Sequence, residues 1–285
     1  MAINKVTVLG AGLMGNGIAQ VCAQAGYEVV MRDIEDRFVE NGMNTIKKNL
    51  EKSVKKGKMS EEDMKAILGR LTGVVDMKEA IKDPDLVIEA APEIMDLKKS
   101  IFAEVDELAP EKTLLASNTS SLSVTEMASA TKRPEKFIGM HFFNPVPVMK
   151  LVELIRGHLT SDETVKTIEE VSAKIGKISV LCIDSPGFIA NRIALPLLNE
   201  AYFTLMEGVA TKEDIDTAMK LGYNHPMGPL ELTDLIGLDT ILKILDIYYE
   251  EFKDPKYRAC PLLRKMVRAG LYGRKTGRGF YDYTK

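Results

Sequence analysis

Apolar positions follow two regimes along this chain of 285 residues. Up to about residue 183, short β-branched or leucine-rich runs alternate with longer stretches at helical spacing. Lys5–Leu9, Tyr27–Arg32, Gly73–Val75, Leu86–Ala90, Thr113–Ser117, Phe137–Met140, Leu151–Ile155 and Lys177–Ile183 read as strands. Helical spacing covers about 16–25, 36–57, 60–70, 94–108 and 160–175, with another helix starting at Ser123. Ser60 with Asp63, Ser123 with Glu126, Thr160 with Glu163 and Thr211 with Asp214 have the spacing of helix-start caps. From Asp184 onward no alternating run follows. Ser185-Pro186 predicts a helix that carries Asn191 and Arg192 one turn in and bends at Pro196. Further helices are expected to Gly222 and over 230–236, 239–252 and 261–269. The pattern predicts an α/β domain over 1–183, with a helical hairpin insertion at about 36–70, and an all-α domain over 184–285. The late helices are more apolar than a solvated face needs, so they are expected to pack on the first domain, on each other and on a second copy. That implies a homodimer or higher homo-oligomer.

The first strand runs straight into Gly10-Ala-Gly12-Leu13-Met14-Gly15, which opens a helix, and the second strand ends at Asp33. Strand, glycine turn, helix, strand and terminal acid make a dinucleotide-binding pattern, so the first domain is expected to be Rossmann-like. Gly10 permits the tight turn, Gly12 lets the backbone approach a pyrophosphate, and Gly15 allows close helix packing. Asp33 follows Gly10 by 23 residues, near the usual separation of about 20 for an acid that accepts ribose hydroxyls. A carboxylate there favours NAD(H) over NADP(H), although the neighbouring Arg32 could accommodate the extra phosphate of NADP.

Other polar residues gather where strands end. His141 and Asn144 close the Phe137 run, and Pro145 and Pro147 stop the chain from continuing as strand or helix. Glu153 stands alone among Leu, Val and Ile in the next strand, where a carboxylate is costly to bury without a partner. His141 could be that partner. The alternative is a solvent-facing Glu153 and a histidine satisfied within the core. Glu93 and Lys98 flank the start of the 94–108 helix. The run Ser117-Asn118-Thr119-Ser120-Ser121 is either a ligand-facing loop or only a turn with a cap. Lys48, Lys52 and Lys56 make a basic stripe at i, i+4, i+8, either a solvated face or a landing strip for an anionic ligand.

The bulk properties narrow the choice of partners. A net charge of −3 argues against a nucleic-acid ligand. No apolar run reaches membrane-spanning length, and no signal segment precedes the first strand. The three cysteines, Cys22, Cys182 and Cys260, form neither a disulfide framework nor a metal site, which suggests a reduced, cytoplasmic protein. His158 and His225 lie in turns and are weaker proton carriers than His141.

The motifs together resemble those of the L-3-hydroxyacyl-CoA dehydrogenases over the whole chain, nearest to the short, free-standing bacterial members that act on 3-hydroxybutyryl-CoA. The resemblance rests on Val8-Leu-Gly-Ala-Gly-Leu-Met-Gly15, Ser117–Ser121, His141-Phe-Phe-Asn-Pro-Val-Pro147 and Asp184-Ser-Pro-Gly-Phe-Ile-Ala-Asn-Arg192. Pro226-Met-Gly-Pro229 and Gly277-Arg-Gly-Phe-Tyr281 add to it. It implies His141 as general acid/base, Glu153 as its orienting partner, and Ser120 and Asn191 against the substrate oxygen. It also implies Gly10, Gly12, Leu13, Met14, Gly15, Asp33, Glu93, Lys98, Asn118 and Asn144 along NAD(H), with Lys52 and Lys56 toward the CoA of an acyl-CoA substrate. The all-α domain would then complete the substrate site and form the dimer. The reaction expected is reversible reduction of acetoacetyl-CoA to (S)-3-hydroxybutyryl-CoA, in butyrate or fatty-acid metabolism. Two other readings remain open: a dehydrogenase of free hydroxy or sugar acids, and a dinucleotide-binding protein without catalysis.

Overall fold

The structure, a computed structural model, describes residues 2–284. The chain divides into two compact units, Met1–Ser185 and Pro186–Lys285. In the first, β1 (Lys5–Leu9), α1 (Leu13–Gln24) and β2 (Glu28–Arg32) make the opening crossover, and α2 (Asp36–Lys55) and α3 (Glu61–Leu68) lead to β3 (Leu71–Val74). Next come α4 (Met77–Ala80), β4 (Leu86–Glu89), α5 (Met95–Leu108), β5 (Leu114–Ser117), α6 (Val124–Ala128) and β6 (Phe137–Phe142). The unit closes with β7 (Leu151–Arg156), α7 (Asp162–Lys174) and β8 (Ile178–Ile183).

The strands form one sheet in the order β3-β2-β1-β4-β5-β6-β7-β8. All pairs are parallel except β6 with β7. Every residue of β4, β5 and β6 is buried, as expected of strands covered on both faces, and this explains their unbroken apolar runs. The sheet order changes direction between β1 and β4, so the carboxyl ends of these strands border a crevice at the switch point. The fold is the Rossmann-like α/β class that the glycine pattern implies, followed by a helical unit.

The second unit contains α8 (Ala190–Met206), α9 (Lys212–Gly222), α10 (Pro229–Ile236), α11 (Leu238–Phe252) and α12 (Pro261–Arg268). Leu195, Leu198, Tyr202, Ile241, Leu245 and Tyr248 form its core. The motifs around Gly228 and Gly279 prove to be tertiary ties. Asp216 accepts the Leu230 and Glu231 amides at 2.8 and 3.1 Å, capping α10, and the Tyr281 hydroxyl at 2.7 Å. Asp234 accepts the Phe280 and Tyr281 amides at 2.9 and 2.8 Å. A Cβ on Gly228 would lie 2.3 Å from the Asp216 side chain, and one on Gly279 would lie 1.9 Å from Asp234. Glycine is what lets these segments approach.

Several local expectations are corrected. The helix foreseen from Ser185-Pro186 begins only at Ala190, because Gly187 (φ +81°) and Phe188 (φ +54°) are left-handed and turn the chain first. The cap of α7 is Ser161, which accepts the Thr164 amide at 3.2 Å. Thr160, the expected cap, instead accepts the Gly157 amide at 2.9 Å and donates to the Phe137 carbonyl at 2.6 Å. The third strand spans Leu71–Val74 rather than 73–75, and α4, capped by Asp76, was not foreseen. Lys56 follows the last turn of α2 as its C-cap. Ser60, Ser123 and Thr211 each accept the amide three residues on.

Candidate active site

The carboxyl ends of β1, β2, β4, β5 and β6 bring together most of the candidate residues of the first unit. At β1, Gly10 adopts φ +110°, and a Cβ there would lie 2.7 Å from the Ala90 carbonyl oxygen. A Cβ on Gly15 would lie 1.8 Å from the Gly10 carbonyl oxygen, so α1 can seat on the turn only with glycine there. Gly12 differs, since nothing lies within 4 Å of the Cβ it lacks. The open space is on the ligand side. Gly12 is also the N-cap of α1 and supplies no side-chain cap, which leaves the first amides, those of Leu13 and Met14 among them, for an anion. Asp33 Oδ2 accepts the Ala11 amide at 2.7 Å, tying the glycine turn to the acid at the end of β2. Arg32 turns away, its Nε donating to the Val75 carbonyl at 2.9 Å. These residues fit a dinucleotide: an open backbone cradle, a helix start without a cap, and a carboxylate at the next strand end.

Across the switch point, β4 and β5 end in a network of buried charges. Lys98, with 1% of its surface exposed, donates to Glu89 Oε1 at 2.6 Å and to the Ala91 carbonyl at 3.2 Å, and lies 3.4 Å from Glu93 Oε2. Glu89 is fully buried, and its other oxygen accepts the Ser117 hydroxyl at 2.6 Å. Glu93 Oε1 gathers the 119–121 loop, accepting the Thr119 hydroxyl at 2.6 Å and the Ser120 and Ser121 amides at 2.8 and 3.0 Å. Burial alone would raise the Glu93 pKa. The ammonium of Lys98 and the hydrogen bonds from Thr119, Ser120 and Ser121 outweigh that and hold it below its ordinary 4.5. Lys98 is thus paired with these two carboxylates. Asn118 Oδ1 accepts the Phe142 amide at 2.9 Å, which ties the loop to the end of β6.

His141 is the penultimate residue of β6 and pairs in antiparallel register with Glu153 of β7. Directly opposed residues share a face, so the two side chains meet. His141 Nδ1 lies 2.7 Å from Glu153 Oε2, with 6% of the histidine and none of the glutamate exposed. The alternative of a solvent-facing glutamate is thereby removed. With Glu153 ionised, Nδ1 carries the ring hydrogen and Nε2 the lone pair. The Phe143 ring packs 4.6 Å from the imidazole, centroid to centroid, and Asn144 follows on the exposed side of the loop.

Other candidates lie on other elements. Lys48, Lys52 and Lys56 are exposed on α2 and at its end, and none of them is in a salt bridge among the described residues. Asn191 lies in the first turn of α8, in the second unit. Among the described residues no group of three or more His, Cys, Asp or Glu could hold a metal, and no helix is long and apolar enough to cross a membrane. Glu89, Ser117 and Thr119 belong to the network although the sequence reading did not single them out as site residues. The signal for Glu89 was present: like Glu153, it is a lone acid in an apolar strand.

Comparison with known proteins gives a consistent match at this point. The family model for the NAD binding domain of 3-hydroxyacyl-CoA dehydrogenase matches residues 5–185, and the model for its C-terminal domain matches 187–283. The 3-hydroxybutyryl-CoA dehydrogenase of Clostridioides difficile is 52% identical over 281 residues, covering 99% of this chain and 100% of that protein. A probable 3-hydroxybutyryl-CoA dehydrogenase of Bacillus subtilis is 50% identical over 283 residues, covering 99% and 98%. The crystal structure of (S)-3-hydroxybutyryl-CoA dehydrogenase from Ralstonia eutropha superposes with a TM-score of 0.97 at 51% identity, covering all of both chains.

Proposed function

The chain belongs to the 3-hydroxyacyl-CoA dehydrogenase family, and from that premise we propose that it interconverts acetoacetyl-CoA and (S)-3-hydroxybutyryl-CoA with NAD(H). The buried contact of 2.7 Å between His141 and Glu153 carries this reading. Nε2 of His141 takes the proton of the 3-hydroxyl in the oxidative direction and returns it to the 3-oxo oxygen in the reductive one. Glu153 keeps Nδ1 protonated, fixes the ring and stabilises the imidazolium that forms. The bound nicotinamide supplies or accepts the hydride. Ser120, held by Glu93, steadies the reacting oxygen as charge develops on it.

Asp33 receives the adenosine ribose hydroxyls, and the amides at the start of α1 receive the pyrophosphate. NAD(H) is favoured over NADP(H), since Asp33 would repel a 2′-phosphate and Arg32 Nε is engaged by Val75. Glu93, Asn118 and Asn144 lie along the same cofactor, and the ammonium groups of Lys52 and Lys56 attract the CoA phosphates. The three thiols, none in a disulfide, suit a reducing cytoplasm.

The test is the initial rate of NADH absorbance loss with acetoacetyl-CoA, run beside free acetoacetate and beside NADPH. Turnover confined to the CoA ester and several-fold faster with NADH is expected. No turnover of the ester by a protein that binds NADH would overturn the proposal.

A further inference from the structure

The loop from Phe143 to Lys150 joins the His141 strand to the Glu153 strand, and it is held by two contacts. The first comes from Lys177, which precedes β8 and is only 8% exposed. Its ammonium donates to the Val146 carbonyl at 2.5 Å and to the Met149 carbonyl at 2.6 Å. A lysine buried this deeply is unusual, and burial pushes its pKa down. Among the described residues it makes no salt bridge; it is spent on two loop carbonyls. The second contact comes from α1, whose Gly17 faces Val146 so closely that a Cβ there would come within 2.9 Å of the valine Cβ. Val146 itself is 2% exposed and belongs to the sheet core. The loop is thus fitted against the helix that opens the dinucleotide cradle, and a cation draws two of its carbonyls together.

We propose that Lys177 is a positioning residue for the redox site: with Gly17 it indexes the loop, and Asn144 on it, against α1. The inference rests on the dehydrogenase reading above. Removing the ammonium leaves two carbonyls without their donor and lets the loop settle elsewhere, and a displacement of about 1 Å at a reacting centre can cost up to about 10²-fold in rate. The CoA-facing lysines of α2 are on a different element, so binding of the acyl-CoA substrate is spared.

The experiment compares full-length wild type with Lys177→Met, Lys177→Arg and Gly17→Ala, measuring kcat, both KM values and NADH Kd by fluorescence, with thermal melting as a check of folding. For folded Lys177→Met the expected result is a kcat at least about tenfold lower, a weaker NADH Kd, and a KM for acetoacetyl-CoA within about twofold of wild type. Lys177→Arg, which restores a buried donor, should recover most of kcat. Gly17→Ala pushes the loop at Val146 without touching a charge and should give the same pattern if Lys177→Met does not fold. Wild-type kcat and NADH Kd in a folded Lys177→Met or Gly17→Ala overturn the proposal. So does a loss of kcat that only tracks the folded fraction, with unchanged NADH Kd. If wild type does not turn over acetoacetyl-CoA, the dehydrogenase reading fails, while the NADH Kd of the variants still decides the clamp.

Discussion

Glu153 and His141 show what one residue pair can do in a buried sheet. A carboxylate with no exposure is tolerable there because an imidazole faces it across the ladder at 2.7 Å. His141→Ala should keep NADH binding and lower kcat by about 10²-fold or more, the scale of a lost acid–base group. Steady-state rates beside an NADH titration check both halves. Lys98 poses the opposite problem, a cation with 1% exposure that compensates Glu89 and Glu93. Lys98→Met removes the compensation and leaves Glu89 buried without its cation. Urea unfolding should show a loss of about 3–5 kcal/mol, the range for breaking a buried ion pair from one side.

Among elements, the 119–121 loop depends on a single carboxylate. The folded pKa of Glu93 lies below its ordinary 4.5, so its contribution to stability is fully present above that value and fades as pH falls through the folded pKa. The Tm difference between wild type and Glu93→Gln should therefore be constant from pH 7 to about 5 and shrink below about 4.5. A difference that grows on acidification would remove Glu93 as the loop's anchor. On α2, Lys56→Glu puts a negative charge where the CoA phosphates are proposed to lie. Its KM for acetoacetyl-CoA should rise severalfold while that for NADH hardly moves. Equal effects on both would return the lysine stripe to a solvated face.

For the whole molecule, exposed apolar residues raise the question of assembly. Leu221 and Tyr223 at the end of α9, and Leu235 and Ile236 at the end of α10, are exposed. Such surface on a helical unit is better covered by a second copy. Light scattering on the purified protein should give at least twice the chain mass of 31.6 kDa; a monomer would end that expectation.

Much of this was legible along the chain, because short-range physics wrote it there. The period of strands and helices and the caps at Ser60, Ser123 and Thr211 depend on neighbours a few residues apart, and the glycine turn with Asp33 on one crossover of fixed length. His141 and Glu153 were also within reach, since an acid in an apolar strand needs a partner. The tertiary structure alone decided that β6 and β7 run antiparallel in the register that joins them. It also decided that Ser161, not Thr160, caps α7, because the Thr160 hydroxyl was claimed by residues 137 and 157. The same holds for the pairing of Lys98 with Glu89 and for Lys177 and Gly17 holding one loop. The deciding partners include residues well outside the local stretch, Phe137 for Thr160 and Val146 for Lys177, and only the packed chain ranks them.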